Sequence, residues 1–188
     1  HPIILHANTS LPFAKNNHSR ASMDADANIY IRENLYNRIY PASLTKIAIS
    51  IIAIEKLKLS DEVFIQEIDY NLPLDYVTTP LYLGETLTVE DLLYATMLKS
   101  GNDAAIYLAK EVYGNKENFI EGINKYLKDL GLINTNFTNP FGLEEDNHYT
   151  TPYDLLLLTK HAMENRTFKE IVSKTKYVIP ENNFSEER

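Results

Sequence analysis

Apolar residues in this chain recur with two different spacings, and each spacing predicts a different element. After Ser43, the residues Ile47, Ile51 and Ile54 follow one another every three or four positions, which is the period of a helix. Further apolar residues stand between them, so this helix is expected to be buried on most of its faces. Residues 21–33 instead carry two short apolar runs on either side of a polar turn, which predicts two short strands.

Polar residues and glycines predict where the other helices begin and end. Thr88, with Glu90 and Asp91 in the turn that follows, is typical of a helix N-terminus, and that helix is expected to end near residues 99–101. Gly114 and Gly131 are typical of positions just after a helix C-terminus. On this basis helices begin near residues 88, 102, 116 and 151, a short helix lies near residues 168–172, and a strand lies at residues 177–179.

The remaining segments have neither period. Residues 1–20 are interpreted as an irregular N-terminal arm, residues 61–87 as an irregular connection, and residues 134–150 as a loop. In the predicted pair of strands, Asn28 is expected to provide the left-handed turn residue, because Asn tolerates that conformation. The whole pattern predicts an α+β fold, in which a helical body is flanked by strands at both ends.

The composition is that of a globular domain, and its charge narrows the classes of function. Of the 188 residues, 44% are hydrophobic and 23% are charged, and the formal net charge is -8. A dispersed acidic surface argues against nucleic-acid binding, which needs a basic surface. The chain has no cysteine, and its five histidines are scattered, so we expect no thiol chemistry, no metal and no cofactor. The apolar run at residues 2–5 is too short for a signal-peptide core.

The first candidate for chemistry is Ser43-Leu44-Thr45-Lys46, a Ser-x-x-Lys sequence at the start of the long helix. Residues three apart lie on one face of a helix, so the hydroxyl and the amine can meet. An amine in apolar surroundings loses its proton more easily, and a neutral amine can activate a serine hydroxyl as a nucleophile. Taken alone, the same residues fit a serine that caps the helix and a lysine in solvent, which is the commoner arrangement.

The second candidate is Ser100-Gly101-Asn102, in the predicted turn between two apolar helices. Such a turn can direct a hydroxyl and an amide into a cleft, although an ordinary helix end followed by an Asn cap also explains these residues. The two candidates together are more informative than either one. Ser-x-x-Lys, a Ser-x-Asn triplet and Lys-Thr-Gly form the motif set of penicillin-binding proteins and serine β-lactamases.

Longer segments resemble one family within that group. Residues 40–47 resemble the nucleophile segment of the serine D-alanyl-D-alanine carboxypeptidases, which are low-molecular-mass penicillin-binding proteins. Residues 88–105 are similar to the second segment of that family. Residues 130–143, 148–155 and 170–173 also match it, in the same order. The resemblance covers about residues 21–180 and is more specific than any single motif.

The resemblance implies a fold, a reaction and residue roles. The fold would be β-lactamase/transpeptidase-like, with a helical lobe and an antiparallel sheet. Ser43 would attack a peptidoglycan stem peptide that ends in D-Ala-D-Ala and form an acyl-enzyme, with Lys46 as the base. Ser100 would pass the proton to the leaving D-alanine, and Gly101 and Asn102 would bind substrate. β-Lactam antibiotics would acylate the same serine, and the protein would act outside the cytoplasmic membrane.

The third motif of the family, Lys-Thr-Gly, does not occur in this sequence. Lys174-Thr175-Lys176 lacks the glycine that lets a strand backbone approach the substrate closely. We therefore expect that the C-terminal sheet strands are missing from these residues. Residues 21–188 would then be an incomplete carboxypeptidase domain after the arm of residues 1–20. A continuation of the chain or a companion chain is expected to supply the missing strands.

Two alternatives stay open beside the carboxypeptidase. A serine β-lactamase shares the fold and the first two motifs, although residues 143–147 do not fit the Glu-x-x-Leu-Asn segment of the enzymes that use an additional glutamate base. A non-catalytic relative that binds peptidoglycan or β-lactam would account for the absence of Lys-Thr-Gly. Such a relative has no chemical need for the four residues Ser43, Lys46, Ser100 and Asn102.

Overall fold

Six α-helices and two small antiparallel sheets form the part of the chain that the structure, a computed structural model, describes: residues 3–8, 18–67 and 81–186. The helices are α1 (Thr45–Lys56), α2 (Val89–Leu98), α3 (Asn102–Tyr113), α4 (Lys116–Asp129), α5 (Pro152–Glu164) and α6 (Arg166–Ser173). The strands are β1 (Ile3–Asn8), β2 (His18–Met23), β3 (Ile29–Glu33), β4 (Glu62–Phe64) and β5 (Thr86–Thr88). This is the predicted α+β class.

Helix α1 is the centre of the hydrophobic core, as its apolar pattern predicts. Every residue from Ala48 to Ala53 is inaccessible to solvent. Helices α2, α3, α4, α5 and α6 all pack against α1, which explains why it is apolar on most faces. A 3₁₀ turn of residues Ala42–Leu44 leads into the helix. The core therefore holds the beginning of α1, and with it the Ser-x-x-Lys sequence, in a fixed position.

Strand β2 is the middle strand of the larger sheet and pairs antiparallel with β1 and β3. Its buried residues Ala21 and Met23 form a second small core with Leu35 and with Leu156 of α5. The prediction of irregular structure for residues 1–20 is wrong at Ile3–Asn8, which forms β1, and at residues 18–20, where β2 begins. That strand depends on pairing with β2, which the local pattern of its own residues does not reveal. The boundary predicted between residues 20 and 21 stays a prediction.

The turn between β2 and β3 differs from the expectation in one residue. Ala27, with φ of 66°, has the left-handed conformation that we expected for Asn28. The Asp24 carboxylate accepts hydrogen bonds from Asn28, Tyr30 and the backbone of Asp26, and these bonds hold the turn. Hydrogen bonds from Asn28 and then from Tyr30 are the main reason why the pKa of Asp24 is lowered to about 2. This network offsets the cost of a left-handed alanine, which is about 1–2 kcal/mol.

The predicted helix ends are confirmed, because each depends on contacts between residues close in sequence. At α2, the Thr88 side chain accepts from the Asp91 backbone and the Asp91 side chain accepts from the Thr88 backbone, which is a capping box. Gly114 follows α3 with φ of 82°, a conformation that glycine adopts without strain. Side chains of the preceding residue also cap α4, α5 and α6, namely Asn115, Thr151 and Asn165.

Two other expectations differ from the structure. The connection predicted as irregular contains the paired strands β4 and β5 at its two ends, and residues 68–80 of it lie outside the described residues. The strand predicted at residues 177–179 is wrong, since this segment is irregular and pairs with no strand in the described ranges. Tyr177 is held instead by side-chain contacts: it stacks on Tyr94 and donates to Asp91 at 2.8 Å. No helix within the described residues has both the length and the apolar character needed to cross a membrane.

Candidate active site

Ser43 and Lys46 lie together at the beginning of α1. Ser43 is in the 3₁₀ turn and exposed, whereas Lys46 is in the first turn of α1 and only 2% exposed. Lys46 Nζ lies 3.5 Å from Ser43 Oγ. Leu44, and not Ser43, occupies the N-cap position of α1. The alternative in which Ser43 caps the helix and Lys46 lies in solvent is therefore wrong.

Ser100 completes a triangle of polar groups with these two side chains. Its Oγ lies 3.2 Å from Lys46 Nζ and donates a hydrogen bond to Ser43 Oγ at 3.1 Å. Ser100 follows α2 and brings its hydroxyl to α1 across the core contact between the two helices. Two hydroxyls and one amine within hydrogen-bonding distance of one another can move a proton from one oxygen to the other.

The Lys46 amine is held in surroundings that favour its neutral form. Burial lowers the pKa of Lys46 to about 8, and the negative charge of Asp103 acts in the opposite direction. The amine also donates to the carbonyl oxygen of Phe141 at 3.0 Å. A substantial fraction of neutral amine is thus present near pH 8, which is the form that can accept a proton from a serine.

The segment that supplies the Phe141 carbonyl is held by Asn139. The Asn139 side chain accepts from the backbone N–H of Gly142 and of Leu143, and donates to the carbonyl of Leu143. Gly142 has φ of +93°, and a Cβ at this position would lie 1.9 Å from the carbonyl oxygen of Ala42. The backbone of residues 139–143 therefore supports the turn that carries Ser43, and it also contacts the amine of Lys46.

Backbone strain is found in both serine segments. Ala42, which precedes Ser43, has φ of 47°, and Ser100 itself has φ of 57°. Conformations of this kind cost about 1–3 kcal/mol for residues other than glycine, and they concentrate at functional sites. The surrounding packing holds the backbone of both serine segments in these conformations, which points to this triangle as the functional site.

A cavity of about 410 Å³ opens beside the triangle. The residues that line it are Tyr40, Pro41, Ala42, Ser43, Leu44, Lys46, Ile47, Thr96, Met97 and Ser100. Gly101 and Asn102 do not line this cavity; both are buried, Gly101 as the N-cap of α3 and Asn102 as its first residue. Sequence reasoning missed Tyr40, Thr96 and Met97 as cavity residues, since nothing local to them indicates a cavity. No group of three histidine or acidic side chains suited to a metal ion occurs in the ranges that the structure covers.

The chain belongs to the D-alanyl-D-alanine carboxypeptidase family. The sequence profile of that family matches residues 10–186, which is most of the chain. This membership confirms the resemblance drawn from the motif segments. The relatives that the chain matches include carboxypeptidases and a penicillin-binding protein, so the β-lactamase alternative is not favoured.

Relatives in other bacteria agree with this assignment in sequence and in structure. The chain is 32% identical over 159 residues to the carboxypeptidase DacF of Bacillus subtilis. The matched region covers 82% of this chain and 40% of DacF. It is 38% identical over 135 residues to DacA of Haemophilus influenzae, covering 68% of this chain and 34% of DacA. Penicillin binding protein 5 from Haemophilus influenzae has a similar structure, with a TM-score of 0.76, 33% identity and coverage of 85% of this chain and 48% of that one. The chain spans less than half the length of each of these relatives.

Proposed function

We propose that this protein is a serine DD-carboxypeptidase that removes the terminal D-alanine from peptidoglycan stem peptides. The observation that carries the proposal is the triangle of Ser43, Lys46 and Ser100, whose functional atoms lie 3.1–3.5 Å apart beside a cavity. Membership of the carboxypeptidase family supports the choice of substrate. β-Lactams would acylate the same serine, because they would resemble the D-Ala-D-Ala end of the peptide.

Acylation begins when the neutral amine of Lys46 accepts the proton of Ser43. Ser43 Oγ then forms a bond to the carbonyl carbon of the penultimate D-alanine, and the carbonyl oxygen becomes negatively charged. The backbone N–H of Ser43, at the N-terminal end of α1, is suited to stabilise that oxygen. The bond to the terminal D-alanine breaks as its nitrogen takes the proton from Lys46 by way of Ser100, and an ester of Ser43 remains.

Deacylation reverses the proton movements with water as the nucleophile. The amine of Lys46 accepts a proton from water, the water oxygen attacks the ester carbon, and the ester bond to Ser43 breaks as Ser43 regains a proton. The products are a peptide shortened by one D-alanine and the free enzyme. Gly101 and Asn102, next to Ser100, would position the substrate peptide in this scheme.

We further propose that the Lys-Thr-Gly strand comes from outside these 188 residues, either in the same chain or in a companion chain. The motif set of the family contains this tripeptide and the present sequence does not. The relatives are more than twice as long as the matched region, which is consistent with further segments. Because the substrate of such an enzyme is the cell wall, we place its action in the cell envelope, outside the cytoplasmic membrane.

Intact mass measurement of the native protein with and without benzylpenicillin tests the proposed function. A single penicilloyl unit should add to the species that contains Ser43, and the Ser43→Ala variant should add none. The same spectrum shows whether that species is the 21.6 kDa chain, a longer chain or a chain with a companion fragment.

Release of D-alanine from a D-Ala-D-Ala peptide, measured beside the mass, separates the alternatives. A carboxypeptidase releases D-alanine and keeps its penicilloyl adduct for a long time, whereas a β-lactamase turns penicillin over rapidly. A non-catalytic relative binds the peptide equally well with and without Ser43→Ala and releases nothing. A folded native protein of full natural length that forms no adduct would contradict the proposal.

A further inference from the structure

We propose that His148 is a positioning residue for acylation, acting through Thr45, and this inference rests on the proposed function. Thr45 stands between the nucleophile Ser43 and the base Lys46 in the sequence. His148 lies in the loop between α4 and α5, far from them along the chain, yet its imidazole contacts the Thr45 side chain in the core. In the part of the chain that the structure describes, His148 makes no hydrogen bond to Ser43 or Lys46; its partners are Thr45 and Thr138.

The imidazole of His148 is held in one orientation. The residue is completely buried, and its ring stacks on that of Phe137 with the centroids 4.9 Å apart and the planes 19° from parallel. Nδ1 accepts a hydrogen bond from the backbone N–H of Thr138 at 3.0 Å. Nε2 lies 2.9 Å from Oγ1 of Thr45. The ring is thus contacted at both nitrogens and on one face. Any other rotamer of the side chain would break a buried hydrogen bond.

The contact with Thr138 determines which nitrogen carries the proton. A backbone N–H can only donate, so Nδ1 of His148 carries no hydrogen. Burial lowers the pKa of His148 to about 4, and the nearby Glu145 carboxylate opposes this only in part, so the ring is neutral near pH 7. The single ring proton is therefore on Nε2, and Nε2–H donates to Oγ1 of Thr45.

Thr45 transmits this contact to the turn that carries the nucleophile. It is the first residue of α1 and is completely buried. Its backbone N–H donates to the carbonyls of Ala42 and Ser43, which closes the 3₁₀ turn. The hydrogen bond from His148 thus fixes the rotation of the first turn of α1 relative to the loop of residues 134–150.

The same loop also contacts the base and the chain before the nucleophile. The carbonyl of Phe141 accepts from the Lys46 amine, and the backbones of Ile39 and Thr150 exchange two hydrogen bonds of 2.9 and 3.0 Å. The loop therefore contacts both Lys46 and the chain that leads to Ser43. His148 adds a buried contact from the same loop to Thr45, which lies between these two residues. Lys46 Nζ and Ser43 Oγ are 3.5 Å apart, at the outer limit of a hydrogen bond. A misplacement of about 1 Å can cost roughly 100-fold in rate, so the orientation of this turn matters for acylation.

Two pairs of variants separate positioning from mere stability. Thr45→Val removes the acceptor at nearly constant shape, and Thr45→Ser keeps it. His148→Asn keeps an acceptor for the Thr138 N–H but does not reach Thr45, whereas His148→Gln places an amide donor near the former Nε2. The two His148 variants both lose the ring and its stacking. His148→Asn keeps the bond to Thr138 and loses the bond to Thr45, whereas His148→Gln does the reverse, so the pair shows which of the two bonds matters for acylation.

The measurement is the acylation rate constant of Ser43 with benzylpenicillin, resolved from the affinity of the non-covalent complex, in the protein of full natural length. We expect Thr45→Val and His148→Asn to lower the rate constant about 10- to 100-fold with little change in affinity. Thr45→Ser and His148→Gln should stay within about 3-fold of the unaltered protein, by the same reasoning about geometry. Melting temperatures of all four variants are recorded beside the rates.

Two results would overturn the inference. One is an unchanged acylation rate constant in folded Thr45→Val and His148→Asn. The other is a decrease of the acylation rate constant that correlates, across all four variants, with the decrease in melting temperature and does not depend on whether the bond to Thr45 is present. If the unaltered protein forms no adduct at all, the proposed function fails and this inference fails with it, an outcome that is distinct from the first two.

Discussion

At the residue scale, the buried amine of Lys46 has the most direct effect on the proposed chemistry. Its side chain is only 2% exposed, and its partners are two hydroxyls and one carbonyl, none of which carries a negative charge. Burial without a directly bonded carboxylate disfavours the protonated amine, which is why its pKa is lowered to about 8. The residue is therefore suited to act as a base at a pH where an exposed lysine stays protonated.

The pH dependence of acylation follows from this pKa. Because only the neutral amine accepts the serine proton, the acylation rate constant should rise with pH and reach half of its maximum near pH 8. Each pH unit below that midpoint should lower the rate about tenfold. Stopped-flow measurement of the acylation rate constant with benzylpenicillin between pH 6 and pH 9 gives this profile. The profile should fit the titration of a single group.

Lys46→Arg is the control for the profile, since it keeps a positively charged side chain that does not lose its proton in this pH range. We expect no adduct from this variant at any pH in the range. A flat profile in the unaltered protein, or an active Lys46→Arg variant, would contradict the role of Lys46 as the base.

At the scale of elements, the loop of residues 134–150 organises the site although it contains none of the three polar groups of the triangle. Asn139 shapes its tip, the Phe141 carbonyl contacts Lys46, and Gly142 lies against the backbone of Ala42. The helices, by contrast, provide the rigid supports on which Ser43 and Ser100 stand. The geometry of the site therefore depends on how this loop packs against the beginning of α1.

The contact between Gly142 and Ala42 predicts the effect of one added methyl group. In Gly142→Ala, the new Cβ would lie 1.9 Å from the Ala42 carbonyl oxygen, so the turn that carries Ser43 must shift. We expect acylation by benzylpenicillin to fall about tenfold or more, because a small displacement of Ser43, the proposed nucleophile, is costly. The measurement is again the acylation rate constant, with unfolding in urea recorded for each variant.

Gly131→Ala is the matched control for that prediction. Gly131 has nearly the same conformation, with φ of +88°, but a Cβ there meets nothing within 4 Å. The control should lose about 1 kcal/mol of stability through backbone strain, while its acylation rate stays that of the unaltered protein. Equal rates in the two variants would show that the contact with Ala42 does not matter for the site.

At the scale of the whole molecule, His148 couples the stability of the fold to pH. Its pKa is lowered to about 4 in the folded protein by burial, against 6.5 in the unfolded chain. Between these values the unfolded chain binds a proton that the folded protein excludes. The free energy of unfolding should therefore fall as the pH falls from 6.5 to about 4, by roughly 3 kcal/mol over the full range.

His148→Gln tests this coupling, since glutamine does not titrate and occupies a similar volume. Urea unfolding at several pH values between 7 and 4.5 gives the free energy of unfolding for both proteins. The unaltered protein should lose its stability advantage over the variant as the pH falls, while other acidic groups affect both proteins alike. Parallel curves for the two proteins would show that His148 is not protonated on unfolding in this range.

Much of the fold was predictable because helix boundaries depend on residues that are close in sequence. Thr88 and Asp91 are three residues apart, and Gly114 directly follows its helix, so these ends can be identified without the tertiary structure. The proximity of Ser43 and Lys46 is of the same kind, since a separation of three residues brings side chains together in any helical turn. Strand β1 was not predictable in this way, because it depends on its partner β2.

The sequence by itself determined the helical body, the α+β class, the family and the two serine motifs. Only the tertiary structure decided that Lys46 is buried, that Ser100 reaches Ser43 across 57 positions of sequence, and that His148 bonds to Thr45 across 103. It also decided that the irregular segment after α6 is held by side chains, with Tyr177 on Tyr94. The physical reason is that periodicity and capping reflect neighbours within one or two turns, whereas burial and contacts between distant segments exist only once the core has packed.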